Sequence, residues 1–269
     1  MSQSWRWRTF VIAIIVLLFT WPVLATQQSE EAETCSLCHL DLPLEPLQAS
    51  VHQGLPCMSC HPGAKVVPHE RTMNPEACAA CHPGARAYWE SIHGRAYLQG
   101  VPDVPDCAAC HGGHHILSTK DPDSPVSSLK LPQTCGRCHE NAGISERFGL
   151  PSHRYTTYID SFHGISLRYG NLVAANCTSC HGNHLILAAS DKDSSIHPQN
   201  LPKTCGQCHP NAGENFTKGK IHVEARPGVS YGVWAVRLFY TGFIGLLGFF
   251  FLTHIVLDAI KWLRRRHVY

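Results

Sequence analysis

Seven short stretches of the chain share one arrangement of thiols and imidazole, Cys-x-x-Cys-His: Cys35 to His39, Cys57 to His61, Cys78 to His82, Cys107 to His111, Cys135 to His139, Cys177 to His181 and Cys205 to His209. Together they use all 14 cysteines. Two thiols at this spacing can each add to a vinyl group of one haem, and the next residue, histidine, is placed to bind the iron from one side. The expected cofactor-binding residues are therefore Cys35, Cys38, Cys57, Cys60, Cys78, Cys81, Cys107, Cys110, Cys135, Cys138, Cys177, Cys180, Cys205 and Cys208. The expected proximal metal ligands are His39, His61, His82, His111, His139, His181 and His209. Zinc sites and disulfide frameworks also use paired cysteines, but neither requires a histidine after every pair. Histidine is 19 of 269 residues, so seven such histidines by chance is an event on the order of one in a hundred million. The motif chemistry thus points to seven covalently bound haem c groups.

An iron that is not kept open for a substrate needs a second axial ligand. Twelve histidines lie outside the motifs: His52, His69, His93, His114, His115, His153, His163, His184, His197, His222, His254 and His267. A repeat ranks them. Residues 88–143 shifted by 70 fall on 158–213 without a gap, with 25 identities in 56 positions, so the chain holds two copies of a two-motif module. Under that shift His93 falls on His163 and His114 on His184, while His115 falls on Leu185 and His197 on Ser127. His153 and His222 follow their motif histidines by 14 and 13 residues. The expected distal ligands are His52, His69, His93, His114, His153, His163, His184 and His222, eight candidates for seven irons, with His69 and His222 the weakest. His115 and His197 are expected not to be ligands. His114 lies only three residues after His111, too tightly tethered to reach the far face of the same haem, so it must serve a neighbouring iron.

The elements that must position these groups are thin. About 28 residues per haem between Thr26 and Lys220 cannot enclose an ordinary apolar core. Gly (21) and Pro (18) suit a loop-rich wrap. The fold expected is mostly irregular chain and short α-helices wrapped around stacked haems, with one C-terminal transmembrane helix. Leu238 to Leu257 is mostly apolar, holds His254 and no Asp, Glu, Lys or Arg, and at about 1.5 Å per residue can cross ~30 Å of hydrocarbon. Lys261, Arg264, Arg265 and Arg266 follow it, which places the tail in the cytoplasm and the haem region outside. His254 could bind a haem b shared with a partner helix, or pair with Asp258 at helical spacing. Gly242, Gly245 and Gly248 would permit close approach of another helix.

The start, MSQSWRWRTFVIAIIVLLFTWPVLA, joins a basic segment, an apolar run and a small residue at Ala25, as in a secretory signal peptide or an uncleaved N-terminal anchor. The expected layout is 1–25 signal or anchor, 26–87 a three-haem region, 88–157 and 158–222 two-haem modules, 223–232 linker, 233–260 membrane helix and 261–269 basic tail. The net charge of +2 excludes little by itself, but seven haems add about 14 propionates, so nucleic acid is not an expected partner.

With these motifs the chain resembles multihaem c-type cytochromes of the class III and NapC/NirT-like kind over residues 30–222. Ser-x-His-Gly followed by Cys-x-x-Cys-His-Gly-x-His-x-Ile resembles subunits that accompany membrane cytochrome b in quinone-linked respiratory complexes. That resemblance implies distal ligation by His93, His163, His114 and His184. It also implies electron relay at a bacterial inner membrane, with the haem region in the periplasm. The implied partners are the lipid bilayer, a cytochrome b or quinone-reactive subunit, and a periplasmic redox protein. A reductase of the nitrite or hydroxylamine type, with one five-coordinate haem, is the enzymatic alternative. A quinol dehydrogenase in its own right is another.

Overall fold

The computed structural model describes residues 35, 37–39, 45–69 and 76–266. Residues 1–25, expected to be a signal or anchor, and His267 lie outside the described residues. The chain divides into two compact units, one ending at Gly219 and one beginning at Lys220.

In the first unit the regular structure is helical and short, and no strand occurs among the described residues. Each element is fixed by local chemistry. The motif helix Cys107–His111 starts where Asp106 Oδ1 accepts from Ala109 N at 2.8 Å, and Cys177–His181 starts at a capping box between Asn176 and Ser179. Both stop at a glycine in a conformation that disfavours side chains, Gly112 at φ 89° and Gly182 at φ 77°. A Cβ there would meet the carbonyl oxygen of His115 at 2.9 Å or that of Leu185 at 2.8 Å. The reversal at His-Gly is what sends His114 and His184 away from their own motifs.

The 70-residue repeat is a structural repeat as well. Tyr88 donates to Pro105 O at 2.5 Å and Tyr158 to Ala175 O at 2.9 Å, which are matching positions. Ser91 and Ser161 cap the helices Ile92–Leu98 and Phe162–Arg168 by accepting from Gly94 N and Gly164 N. Thr134 donates to Pro125 O at 2.6 Å, and Thr204 to Ser195 O at 2.7 Å. Backbone hydrogen bonds stitch the N-terminal region to the first copy, Val51 N to Ile116 O at 2.8 Å, and the first copy to the second, Ile92 N to Ile186 O at 2.9 Å.

The protein interior is not hydrocarbon. Among the described residues the buried apolar side chains are Ala79, Leu131, Tyr158 and Leu167, and most of the other buried side chains are serine or threonine. Four such residues cannot offset the entropy of ordering a domain of this length.

The helix Arg154–Ile159 shows how a local rule is broken and repaired. His153, at its N-terminus, has φ 60° and makes no side-chain cap. Glu140 replaces it from the end of the preceding motif: its carboxylate accepts from Tyr155 N at 3.0 Å, Thr156 N at 3.2 Å and Thr156 Oγ1 at 2.6 Å. Partial burial works against the Glu140 charge, but these hydrogen bonds and one with His153 outweigh it and hold its pKa below the usual carboxylate range. Because the folded pKa is lowered, this support is present near neutral pH and is lost as pH falls through the folded value. Glu140→Ala should therefore cost about 1–2 kcal/mol, the worth of a helix cap. Amide exchange at Tyr155 and Thr156 checks this, and unchanged protection there would refute it.

The second unit contains one long helix, Tyr231–Arg266, of 36 residues. At 1.5 Å per residue it is about 54 Å long, more than the ~30 Å hydrocarbon core. By length and composition it is compatible with a membrane anchor. Within it His254 Nδ1 lies 3.5 Å from Asp258 Oδ2.

Candidate haem sites

Twelve of the sequence-selected histidines come together as six pairs. Each pair joins one motif histidine to one histidine outside the motifs. The ring centres are 5.8 Å apart for His39 and His69, 5.9 Å for His52 and His82, and 6.1 Å for His61 and His114. They are 6.1 Å apart for His93 and His139, 6.0 Å for His111 and His184, and 6.0 Å for His163 and His209.

This spacing can be compared with what an iron demands. An imidazole nitrogen binds such a metal at about 2.0 Å and the ring centre lies ~1.1 Å behind it, so two imidazoles across one iron have centres about 6 Å apart. The six pairs fit a bis-histidine haem iron, and the adjacent cysteines fit its covalent attachment. A second observation agrees at the first site: His69 Nδ1 is buried with no hydrogen-bond partner, which is costly for a nitrogen that no metal or donor uses. A zinc reading has no counterpart, because among the described residues no three His, Cys, Asp or Glu side chains cluster as a metal site.

Burial tunes the rings toward the ligating form. Burial first, then the facing imidazole, lowers the pKa of His61, His111 and His163, and takes His93 down to about 4. For His139 and His181 burial again comes first, and the guanidinium of Arg154 adds to both. A neutral imidazole is the form that binds iron.

The cysteines give the order of the sites. Cys60 is affected by the charges of Cys78 and Cys81, Cys110 by those of Cys135 and Cys138, and Cys180 by those of Cys205 and Cys208. Between these junctions lies a second kind, in which the first cysteines of two motifs hydrogen-bond directly: Cys78 with Cys107, and Cys135 with Cys177. Burial and these neighbours push the Cys107 thiol up to about 12 and Cys110 to about 11, so the free chain holds them as thiols. Motif follows motif in space in the order of the chain, from Cys57 to His209, with the two junction types alternating. His69 faces His39 and also acts on His61, which adds the first motif at the same end.

The remaining candidates are placed differently. His153 faces Glu140, with Nδ1 3.3 Å from Oε1, rather than a motif histidine, and its side chain is 49% exposed. The equal spacing that selected it had no spatial meaning, because Glu140 draws it to the helix N-terminus and the second module has Pro210 in that place. His115 is exposed, and His197 Nδ1 accepts from Gln199 N at 3.3 Å. His222 belongs to the second unit and is half-buried. Sequence reasoning missed Arg154, Glu140 and the tyrosine anchors Tyr88 and Tyr158. Only the tyrosines carried a signal, since they coincide under the repeat.

Neither the curated proteins nor the solved structures give a match to this chain. Residues 49–140 match the family model described as cytochrome c3, a span that holds the motifs ending at His61, His82, His111 and His139. Over residues 49–140 the chain is similar to a multihaem c-type cytochrome domain, a likeness that implies covalently bound haem c and suggests electron transfer.

Proposed function

We propose that the protein is a membrane-anchored heptahaem cytochrome c that relays electrons between the membrane quinone pool, or a cytochrome b partner, and periplasmic redox proteins. Haem supplies reversible one-electron storage when bound. The chain's residues supply closure, order and attachment. The facing histidine pairs carry the reading: six motif histidines each meet a second imidazole, so those irons have no position left for a substrate. A six-coordinate iron reorganises little and passes electrons on. The chain-ordered junctions between motifs support a single file of sites.

The anchor gives the direction. In this reading helix Tyr231–Arg266 crosses the inner membrane with its basic end in the cytoplasm, and the haem region faces the periplasm after export by the N-terminal signal. His254, turned to Asp258, offers its other ring nitrogen to a haem b shared with a partner helix.

The purified holoprotein should contain seven haems by mass and show only low-spin ferric signals by electron paramagnetic resonance. Its reduced form should show no carbon monoxide shift. A stoichiometric high-spin signal that binds carbon monoxide would replace the relay by a reductase.

A further inference from the structure

Three elements of the chain share the form Ser-x-His: Ser50-Val51-His52 in the N-terminal region, Ser91-Ile92-His93 in the first copy and Ser161-Phe162-His163 in the second. The first two are docked. Val51 N donates to Ile116 O at 2.8 Å and Ile92 N to Ile186 O at 2.9 Å, and Ser50 and Ser91 are buried. Ser50 Oγ also donates to Ile116 O at 3.1 Å and accepts from Ile116 N at 3.2 Å. The third element has no such dock among the described residues. Phe162 N finds no backbone carbonyl there, Ser161 is only half-buried, and its hydroxyl turns to its own chain, donating to Tyr158 O at 2.6 Å.

The surface beside the open element is apolar. Phe162, Ile165 and Tyr169 recur at helical spacing along the helix Phe162–Arg168 and its C-terminal cap, and Leu172 and Val173 follow. All five are exposed, Phe162 to 81%, Tyr169 to 86% and Val173 to 88%. Under the repeat the same positions hold Ile92, Arg95, Gln99, Pro102 and Asp103, so the first copy is polar at three of them, and its Ile92 is half-buried in a dock. The rest of the molecule uses the opposite side of this helix: Gly164 and Leu167 are buried, and His163 meets His209. A group held between those two histidines leaves Ile165 and Tyr169 bare. Exposed apolar surface with aromatic side chains is what a protein partner buries.

The two filled docks say what the occupant presents. In each, the acceptor is the isoleucine five residues after a motif histidine, in Cys-x-x-Cys-His-Gly-x-His-x-Ile. The sequence holds that segment twice, and Ile116 and Ile186 are both taken. We propose that Phe162 and the apolar face beside it dock a separate multihaem cytochrome c, which presents the backbone of a Cys-x-x-Cys-His-x-x-His-x-Ile segment of its own. The proposal rests on the reading of the protein as an electron relay, and it names the surface on which a redox partner joins the file of sites. Such an occupant carries its haem motif only a short stretch of chain before the bound carbonyl, so docking sets that motif against the second copy.

The full-length holoprotein, with a photoreactive benzophenone side chain at position 162, is illuminated in cells of the native host. The expected product joins it to another haem-staining polypeptide, through a peptide that directly follows a Cys-x-x-Cys-His motif. The same side chain at position 92 is the control and should link to the segment around Ile186 of the same chain; any other attachment there removes the dock that the proposal extends. Tyr169→Gln with Val173→Asp installs the first copy's residues and should lower the yield of the position-162 product about tenfold, with haem content and spin state unchanged. An undiminished yield in that variant overturns the proposal. So does a link to a second copy of this chain, to lipid or to a polypeptide without haem, or the lack of any link. Failure of the relay reading shows elsewhere, as a high-spin signal that binds carbon monoxide in the unsubstituted protein, whatever position 162 captures.

Discussion

Replacing His114 with alanine is expected to convert one equivalent of low-spin iron to high-spin and to open it to carbon monoxide, while replacing His115 leaves the spectrum unchanged. The two residues are adjacent, yet their surroundings differ. His114 is half-buried with its ring centre 6.1 Å from that of His61, whereas His115 is exposed and has Leu185 as its counterpart in the second module. The iron affected is not that of the motif His114 follows. His111 is faced by His184, so loss of His114 opens the site at His61, 53 residues upstream. Added imidazole should restore the low-spin signal, because alanine leaves room for a free ring where the side chain stood. A fully low-spin His114→Ala protein, or an equal effect from His115→Ala, would show that the facing pair does not hold an iron.

The cofactor chemistry was legible in the sequence because covalent attachment demands fixed spacing. So was the doubling of the module, and the repeat carried His93, His163, His114 and His184 into facing pairs. What could not be read was which imidazole meets which motif. His93 meets His139 and His163 meets His209 within one copy, each 46 residues apart, but His61 of the N-terminal region meets His114 of the first copy, and His111 of the first copy meets His184 of the second. Those crossings depend on docking of the N-terminal region on the first copy through Val51 with Ile116, and of the first copy on the second through Ile92 with Ile186, contacts made by backbone atoms that leave no trace in residue type. His69, ranked with His222 as the weakest candidates, faces His39. His153, favoured by regular spacing, does not face a motif histidine, because distance along the chain does not set distance in space once a helix start intervenes.

The crossings also bear on how the chain folds. With so few buried apolar side chains, the order of the first unit depends on links between segments far apart in sequence. Each facing pair, once bridged, is such a link, and the ones between copies tie neighbouring modules together. On the proposed function, electron transfer and stability draw on the same residues, and a variant that loses one histidine of a facing pair should lose both a low-spin signal and part of the unfolding barrier.

The most damaging single methyl group should be the one added at Gly94 or Gly164. Both glycines follow a distal histidine in Ser-x-His-Gly and sit where the chain doubles back on itself. A Cβ at Gly94 would run into the carbonyl oxygen of Tyr88, with Trp89 Cα at 2.8 Å, and one at Gly164 into that of Tyr158, with Ile159 Cα at 2.7 Å. These are backbone atoms, which cannot rotate away, and the backbone is pinned nearby: Tyr88 by Pro105 O, Tyr158 by Ala175 O. Overpacking of a core costs about 1–3 kcal/mol when side chains can yield, so Gly94→Ala and Gly164→Ala should each cost about 3 kcal/mol or more. The displaced residue is the one just before, His93 or His163, so the iron expected opposite, at His139 or His209, should turn high-spin. Gly84→Ala is the control, since nothing lies within 4 Å of its Cβ position. Thermal unfolding together with the spin state decides the matter: a Gly94→Ala protein that melts with the control and stays fully low-spin would mean that the close approach of these two chain segments is not what holds His93 against His139.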